Sequence, residues 1–529
     1  MEKNILVADK IAQPGVDYLK EQSGFHVDHI NGLDEAGLCD IIGKYHAVLV
    51  RSAVTITSAV IDAAENLQVI GRAGIGVDNI DVKRATEKGI AVLNTPNANA
   101  TTTAELAIAH ILSLSRSLPQ ADRSVKDGLW ERSKFMGAEL ANKRLGIFGY
   151  GNIGRIVASR AKGLGMQVSA FDPFVNEEVF AADGVICMEL DELVSNSDYF
   201  TFHCPVNDKT RGIMNEERIQ SMKKGARIIN CARGGLIDEK ALYDALSSGH
   251  LAGAALDVFE TEPPTDSPLL TLDNIVLTPH LGASTKEAQN MAGTEIAQQI
   301  SVFLQTGEPI NAINLPPVSS AELIKIAPYM TLAERLGHLL GAMMAGPVKN
   351  LEIALCGDAT ERDVHSISTQ GLVGFLGAHM SAPVNRVNAG HIAKQQGILT
   401  SETTCKEHPD YRGTIRISAS HGDDVTTVEG TIFDRRHPRL VRINDYEIEA
   451  ALNGHLLITR HKDQPGVIAA ITSIMAEHQI NISRMQLGIV NGSSKATAVI
   501  EVSQPLDITQ MKKIETIDAI TKVMQVTLC

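Results

Sequence analysis

The chain has 529 residues, 44% of them apolar and 21% charged, and a net charge of −14. That length exceeds one core and predicts three or four domains of about 150 residues each; the acidity excludes nucleic acid as a partner, and no apolar run reaches the ~18 residues that cross a membrane. The opening MEKNILVADK enters a strand with no signal peptide, so a cytoplasmic protein is expected. Seven cysteines, at 39, 187, 204, 231, 356, 405 and 529, are scattered without C-x-x-C spacing. Reduced thiols, and no metal or disulfide framework, are expected.

Residues 1 to 98 alternate short apolar runs (Asn4–Ala8, His26–Asp28, Ala47–Arg51, Val69–Gly71, Ala91–Asn94) with amphipathic segments, an α/β pattern. Arg51 ends one run, and Gly71-Arg72-Ala73-Gly74-Ile75-Gly76 ends another in a glycine-rich bend whose N–H groups suit an anion, with Arg51 and Arg72 beside it. A helix predicted from Asn99 to Leu118 leads on to RLGIFGYGNIGR at 144–155. Here an apolar strand runs into Gly149, Gly151 and Gly154 and then into helical spacing. Gly149 makes the turn, Gly151 admits a pyrophosphate to the backbone, and Gly154 lets the helix pack on the strand. The following strand, Gln167 to Phe171, ends at Asp172, placed to accept hydrogen bonds from an adenosine ribose. Pro173 and Phe174 follow it, with no arginine for a 2′-phosphate. NAD is therefore the expected cofactor.

Further strands are predicted at Tyr199–His203, Arg227–Asn230, Ala252–Leu256 and Ile275–Thr278, completing a doubly wound sheet. Three polar residues stand where these strands end, the edge at which open α/β sheets hold ligands: Arg233 in CARGGLID, Glu262 in ALDVFETEPP and His280 in TPHLGAST. Taking a hydride from a secondary alcohol requires a base for the hydroxyl proton, and histidine titrates near neutrality. A carboxylate orients such a histidine and stabilises its cation, and arginine offers a planar fork to a substrate carboxylate. His280 is read as acid/base, Glu262 as its orienter and Arg233 as the clamp.

A helix predicted from Ala283 to Leu304 carries the chain back to the first domain. Pro316-Pro317 then reads as a stiff linker. A long helix from Ser319 to Ala345 follows, with strands near Lys349–Leu355, Gly413–Ser420, Val425–Phe433 and Leu440–Ile443, and Arg435 to Arg439 as a basic turn. From Gly454 the pattern is βαββαβ, a ferredoxin-like module.

The segments GRAGIGVDNID, WERSKFMG, GYGNIGR, NCARGGLID, AALDVFETEPP and TPHLGASTKEAQ, in this order, resemble the D-isomer-specific 2-hydroxyacid dehydrogenase family. The resemblance implies a Rossmann-type NAD domain (99–282) inserted in a flavodoxin-like substrate domain (1–98 plus 283–305), then an α+β intervening allosteric domain (317–452) and a ferredoxin-like ACT domain (454–529). It implies catalysis by Arg233, Glu262 and His280, and cofactor contacts at Ile75, Gly149, Gly151, Asn152, Ile153, Gly154, Asp172, Cys204, Cys231, Ala232, Asp257, Gly282 and Ala283. Substrate contacts are implied at Arg51, Gly74 and Asn79, with Arg132 or Lys134 reaching in from a neighbouring subunit of a homo-oligomer, a tetramer. The long members of the family imply NAD-dependent oxidation of 3-phospho-D-glycerate, the entry to serine synthesis, and L-serine as an effector at His461, Asp463 and Asn481. Another D-2-hydroxyacid, such as glycerate or 2-hydroxyglutarate, stays open as substrate, and an NAD-sensing corepressor is the rival from another class.

Overall fold

The structure, a computed structural model, describes residues 2–528 except 345, 381, 423, 435 and 491–493. Ala345, Arg435 and Cys529, named above, lie outside the described residues.

The first sheet is parallel, built from β1 (Lys3–Val7), β2 (Phe25–His29), β3 (Ala47–Val50), β4 (Val69–Arg72) and β5 (Ala91–Asn94) in the order β2-β1-β3-β4-β5. This is the flavodoxin-like order. β3 and β5 are buried along their whole length, because helices cover both faces of a parallel sheet, which explains why they read as unbroken apolar runs. On one face Ile5, Val7, Leu49 and Leu93 pack with Ala292, Ile296 and Ile300 of the returning helix, Lys286–Thr306. That helix meets the first helix, Gln13–Glu21, so closely that a Cβ on Gly15 would overlap the Gly293 carbonyl.

The second sheet, also parallel, contains β6 (Arg144–Phe148), β7 (Gln167–Phe171), β8 (Ile186–Cys187), β9 (Tyr199–Phe202), β10 (Arg227–Asn230), β11 (Gly253–Leu256) and β12 (Ile275–Leu277). Its order β12-β11-β10-β9-β6-β7-β8 is doubly wound, with the strand order reversing beside β6. The helix leading into it spans Ala100–Arg116 and stops earlier than expected. Ser117 turns left-handed at φ 49°, and a second helix, Leu118–Lys126, begins with Pro119 in its first turn. Proline has no N–H to continue a helix's hydrogen-bond ladder and its ring clashes with the preceding turn, but it is at home in a first turn, so the break belongs here.

The third sheet is mixed: β13 (Asn350–Gly357), β14 (Leu399–Cys405), β15 (Gly413–His421), β16 (Asp424–Phe433), β17 (His437–Ile443) and β18 (Tyr446–Ala451), ordered β14-β13-β15-β16-β17-β18. Sequence periodicity missed both edge strands. β14 is exposed at every position and so lacks an apolar face. The expectation of unpaired thiols is corrected here too: Cys356 and Cys405 are register partners on β13 and β14, with Cα atoms 4.6 Å apart, and form a disulfide. Their separation of 49 residues hid a pairing that only the parallel ladder creates.

The fourth sheet is antiparallel: β19 (Gly454–Lys462), β20 (Ile482–Ile489), β21 (Lys495–Val502) and β22 (Ile520–Leu528), ordered β20-β21-β19-β22, with helices Val467–Glu477 and Ile508–Glu515. One of its faces shares a core with the third sheet: Leu456, Ile458, Val499, Val526 and Leu528 join Leu332, Leu336, Leu340 and Ile417. The two C-terminal units therefore meet through one apolar core. The expected linker is likewise partly docked. Asn314 accepts a hydrogen bond from the Val92 amide at 2.9 Å and donates to the Ile90 carbonyl at 2.9 Å, and Leu315 is buried, so the chain leaves the first domain only at Pro316-Pro317.

Candidate active site

The glycine-rich turn after β6 has the geometry its residues require. Gly149 sits at φ 96° against the His203 carbonyl, where a Cβ would collide, and a Cβ on Gly154 would overlap the Gly149 carbonyl. A Cβ on Gly151 would meet nothing within 4 Å, so its backbone faces open space at the start of helix Asn152–Gly163. The helix N-terminus directs free N–H groups into that space. Asp172 accepts the Tyr150 amide at 2.8 Å and the Phe174 amide at 2.9 Å, holding the turn from the end of β7. Asn152 donates to Asn97 at 2.6 Å, a contact from the second domain to the crossing segment before Ala100. These residues fit a dinucleotide lying across the strand ends. Cys231 is buried among the apolar side chains of the second sheet, and Cys204 packs against the same sheet's other cluster with its thiol pushed up to about 12 by burial, so both act as apolar lining. Ile153 is partly buried against the sheet.

Arg233 is set by a tight turn after β10. Buried Asn230 accepts the Ala232 amide at 3.0 Å and donates to the Arg233 carbonyl at 2.8 Å, while a Cβ on Gly234 would overlap the Phe259 carbonyl. The guanidinium crosses to the first domain, where Nε donates to Asp78 at 3.0 Å, and a Cβ on Gly76 would overlap Nη2. Glu262 receives the Phe259 amide at 3.1 Å on Oε1, and its Oε2 lies 2.8 Å from His280 Nδ1. His280 itself sits at φ 54°. Asp257, expected at the cofactor, is fully buried: it accepts from Thr278 Oγ1 at 2.6 Å and from the Leu281 and Gly282 amides at 2.7 and 2.9 Å. Its carboxylate thereby buckles the loop that carries His280, and the Gly282 carbonyl is held by Thr103 at 2.7 Å. That loop runs through Ala283 into the returning helix.

The Glu262 hydrogen bond raises the pKa of His280 above its ordinary value against the pull of burial. For Glu262, burial is the largest influence and acts upward, but the bonds from His280 and Phe259 and the charges of His280 and Arg233 outweigh it and leave the carboxyl below its ordinary value. Both shifts favour an imidazolium–carboxylate pair.

On the first domain, Asp9 accepts the Arg51 and Ala53 amides at 3.0 and 3.1 Å, and Asn79 donates to the Arg51 and Val54 carbonyls, both at 2.6 Å. Asn79 is thus a brace for the Arg51 turn. Arg72, read from the sequence beside Arg51 at an anion-binding bend, is held in the same cluster as Arg233. Burial, then the neighbouring Arg233 charge, lowers its pKa to about 10, with Arg51, Asp78 and Asp9 also within electrostatic reach. Its buried Nε has no partner among the described residues, and Gly74, at φ 151°, leaves room for its guanidinium. Ile75 lends its carbonyl to Asn94 at 2.6 Å. Three guanidiniums facing two carboxylates leave one net positive charge, a setting for an anion.

Arg132 and Lys134 stand apart from this cluster. Lys134 lines a cavity with Ala252, Asn274 and Ile275, where β11 and β12 begin, the opposite end of the sheet from Arg233 and His280. The same segment exposes Leu129, Trp130 (77%) and Met136 (87%). In the fourth sheet, Asp463 and Asn481 are exposed, whereas His461 is buried, with its pKa lowered by burial. Gly466, at φ 97°, opens helix Val467–Glu477 beside Asp463.

Residues 108–282 match the NAD binding domain of the D-isomer specific 2-hydroxyacid dehydrogenases. Among solved structures, the TT0316 protein from Thermus thermophilus covers 59% of this chain and 99% of its own at 32% identity and a TM-score of 0.55. A D-lactate dehydrogenase from Aquifex aeolicus, complexed with NAD and lactic acid, covers 59% and 100% at 29% identity and a TM-score of 0.53. Fold and site together thus define an NAD-dependent dehydrogenase of the 2-hydroxyacid class.

The similarity to curated relatives extends over the whole chain. The D-3-phosphoglycerate dehydrogenase of Methanocaldococcus jannaschii is 40% identical over 525 residues, 99% of each chain, and that of Bacillus subtilis 38% over 519, 98% of each. Residues 325–444 match the D-3-phosphoglycerate dehydrogenase intervening domain, and 457–525 an AHAS small subunit-like ACT domain. The chain belongs to the D-3-phosphoglycerate dehydrogenase family.

Proposed function

We propose that the chain oxidises 3-phospho-D-glycerate to 3-phosphooxypyruvate at the cleft between its first two sheets. The observation that carries this reading is the convergence of Arg233 and the His280–Glu262 pair with Arg51 and Arg72 across the two domains. NAD, held along the Gly149–Gly154 turn with Asp172 at its ribose, supplies the hydride acceptor. Glu262 takes the Nδ1 hydrogen bond and leaves Nε2 as the base for the C2 hydroxyl proton; the carboxylate then stabilises the imidazolium. Arg233 keeps free N–H donors for the substrate carboxylate beside the reacting carbon. Arg51 and Arg72 serve the phosphate. The 2.8 Å pair supports turnover over a purely sensing, corepressor-like role.

A panel of D-2-hydroxyacids assayed with NAD tests the assignment. 3-Phosphoglycerate is expected to give the highest kcat/KM, with glycerate and 2-hydroxyglutarate far behind. Arg51→Ala is expected to lower kcat/KM for phosphoglycerate by about 10- to 100-fold, the worth of one charged hydrogen bond, and to affect glycerate little. An equal loss on both substrates would remove Arg51 from the phosphate.

The proposal includes a homotetramer in the cytoplasm, with the domain limits given above. The exposed Leu129–Trp130–Met136 segment supports a subunit contact that brings Arg132 or Lys134 to a neighbouring cleft. L-serine is proposed to bind between ACT domains at Asp463, which takes the ammonium, and Asn481, with the amides after Gly466 for the carboxylate. His461, buried on β19, supports the floor of that site instead of contacting the effector. β20, the edge strand of its sheet among the described residues, exposes Leu487 and Ile489 and supports the subunit pairing. Asp463→Ala is expected to abolish serine inhibition while preserving the uninhibited rate, read by calorimetric titration beside the activity assay. Retained binding heat and inhibition in that variant would exclude Asp463.

A further inference from the structure

Cys356 and Cys405 stand at the ends of two adjacent parallel strands, on the sheet face turned away from the long helix Ser320–Met343. Cys405 is exposed and Cys356 partly so. Both line a cavity of about 620 Å³ together with Arg416, Ser418, Thr427 and Arg442. Arg416 pairs with Ala354 in the ladder and is therefore the diagonal neighbour of Cys356 on the same face. Its guanidinium bonds Glu429 through Nη2 at 3.1 Å and remains half exposed, with N–H donors left over. A partly exposed cysteine in a cavity lined by Arg416 and Arg442 has a cationic setting that favours thiolate and hence exchange chemistry. The 4.6 Å Cα separation lies within the range that disulfides span, so closing the bond needs no movement of the strands.

The bond also has something to hold. β14 is an edge strand exposed at all seven positions, joined to the sheet on one side only. Directly after Cys405 the chain forms the 406–412 loop, which carries His408 to within 3.3 Å of the buried Glu429 carboxylate and whose Arg412 carbonyl accepts the Asp358 amide at 2.8 Å. Apolar burial contributes little to this edge, so a covalent tie to β13 is its firmest anchor.

We propose that Cys356 and Cys405 form a reversible thiol–disulfide site that exchanges with low-molecular-weight disulfides through this cavity and anchors or releases β14 and the 406–412 loop. In the oxidising direction the more exposed Cys405 thiolate attacks one sulfur of the small disulfide, forming a mixed disulfide and releasing one small thiol. The Cys356 thiolate then attacks the Cys405 sulfur, closing the Cys356–Cys405 bond and releasing the second thiol. Two electrons pass from the protein dithiol to the small disulfide, which leaves as two thiols; reduction is the reverse.

The test equilibrates the full-length protein in glutathione buffers from fully reduced to fully oxidised, traps the thiols, and maps peptides by mass spectrometry. The expected result is an intramolecular Cys356–Cys405 bond that disappears and returns with the buffer, with loss of amide-exchange protection over 399–412 in the reduced form. Cys356→Ser is expected to stop at a mixed disulfide on Cys405. Arg416→Gln is expected to slow the second step, the closing attack by Cys356, by about tenfold, in keeping with the thiolate fraction on which the rate depends. A bond that never forms or never opens across the buffer range overturns the proposal. So does one that opens while protection over 399–412 is unchanged, and the wild-type protein alone suffices for both readings.

Discussion

Replacing His280 with alanine is expected to lower kcat by about 10²–10⁴-fold, the usual contribution of a general acid–base group, while NAD binding measured by fluorescence or calorimetry stays close to wild type. The geometry separates the two effects: Glu262 is 2.8 Å from the imidazole, whereas the open backbone at Gly151 lies on another loop. Wild-type kcat in this variant would remove His280 from the mechanism. The pH profile gives a second reading. Oxidation needs neutral Nε2, so the rate should fall as pH drops through the pKa of His280, which Glu262 holds above its ordinary 6.5. Glu262→Gln removes that anion, and the low-pH limb is then expected to move to lower pH while the plateau falls. An unshifted limb would assign Glu262 a purely structural place. The stability linkage has the same origin. The raised histidine contributes below its unfolded pKa, and that contribution is lost as pH rises through the folded value; the lowered carboxyl contributes above its unfolded pKa and loses its contribution as pH falls through the folded value. The pair is therefore strongest between the depressed Glu262 pKa and the raised His280 pKa.

Arg233→Ala is expected to cut kcat/KM by about 10²–10⁴-fold, because two hydrogen bonds to a charged carboxylate at about 1.5–3 kcal/mol each are lost. Arg233→Lys should recover little of it. A lysine has no planar fork, and a single ammonium cannot take the place of Nε on Asp78, Nη1 on the Ala232 carbonyl and the donors left for substrate. Added guanidinium ion is expected to restore part of the rate in the alanine variant only. Asp78 is mostly exposed, so losing its partner strands no buried charge, and the melting temperature should change little. A large fall in melting temperature with kcat/KM unaltered in the folded fraction would make Arg233 a strut between the domains.

Much of the fold and site was legible before any coordinates. The two parallel sheets followed from unbroken apolar runs such as Ala47–Val50, buried on both faces. The nucleotide turn followed from glycines whose positions leave no room for a side chain, Gly149 and Gly154, or must stay open, Gly151. Arg233, Glu262 and His280 were singled out because strand ends are where such sheets expose reactive groups.

What only the tertiary structure decided is how distant segments meet. The Arg233–Asp78 bond joins residues 155 positions apart, and no local pattern encodes it. Asp257 carries the same loop placement as a ligand-facing acid, but its neighbours consume it as a buckle for His280. Arg72 reads from the sequence as an anion-facing arginine beside Arg51, but its burial and its closeness to Arg233 come only from packing. The polar edge strand β14, the Cys356–Cys405 pair and the core shared by the third and fourth sheets all arise from strand order. By itself the sequence determined which apolar-patterned segments became strands and helices and which side chains could do chemistry, because periodicity and residue type act locally. Distances, burial and charge coupling awaited the assembled chain, because they depend on which segments pack together.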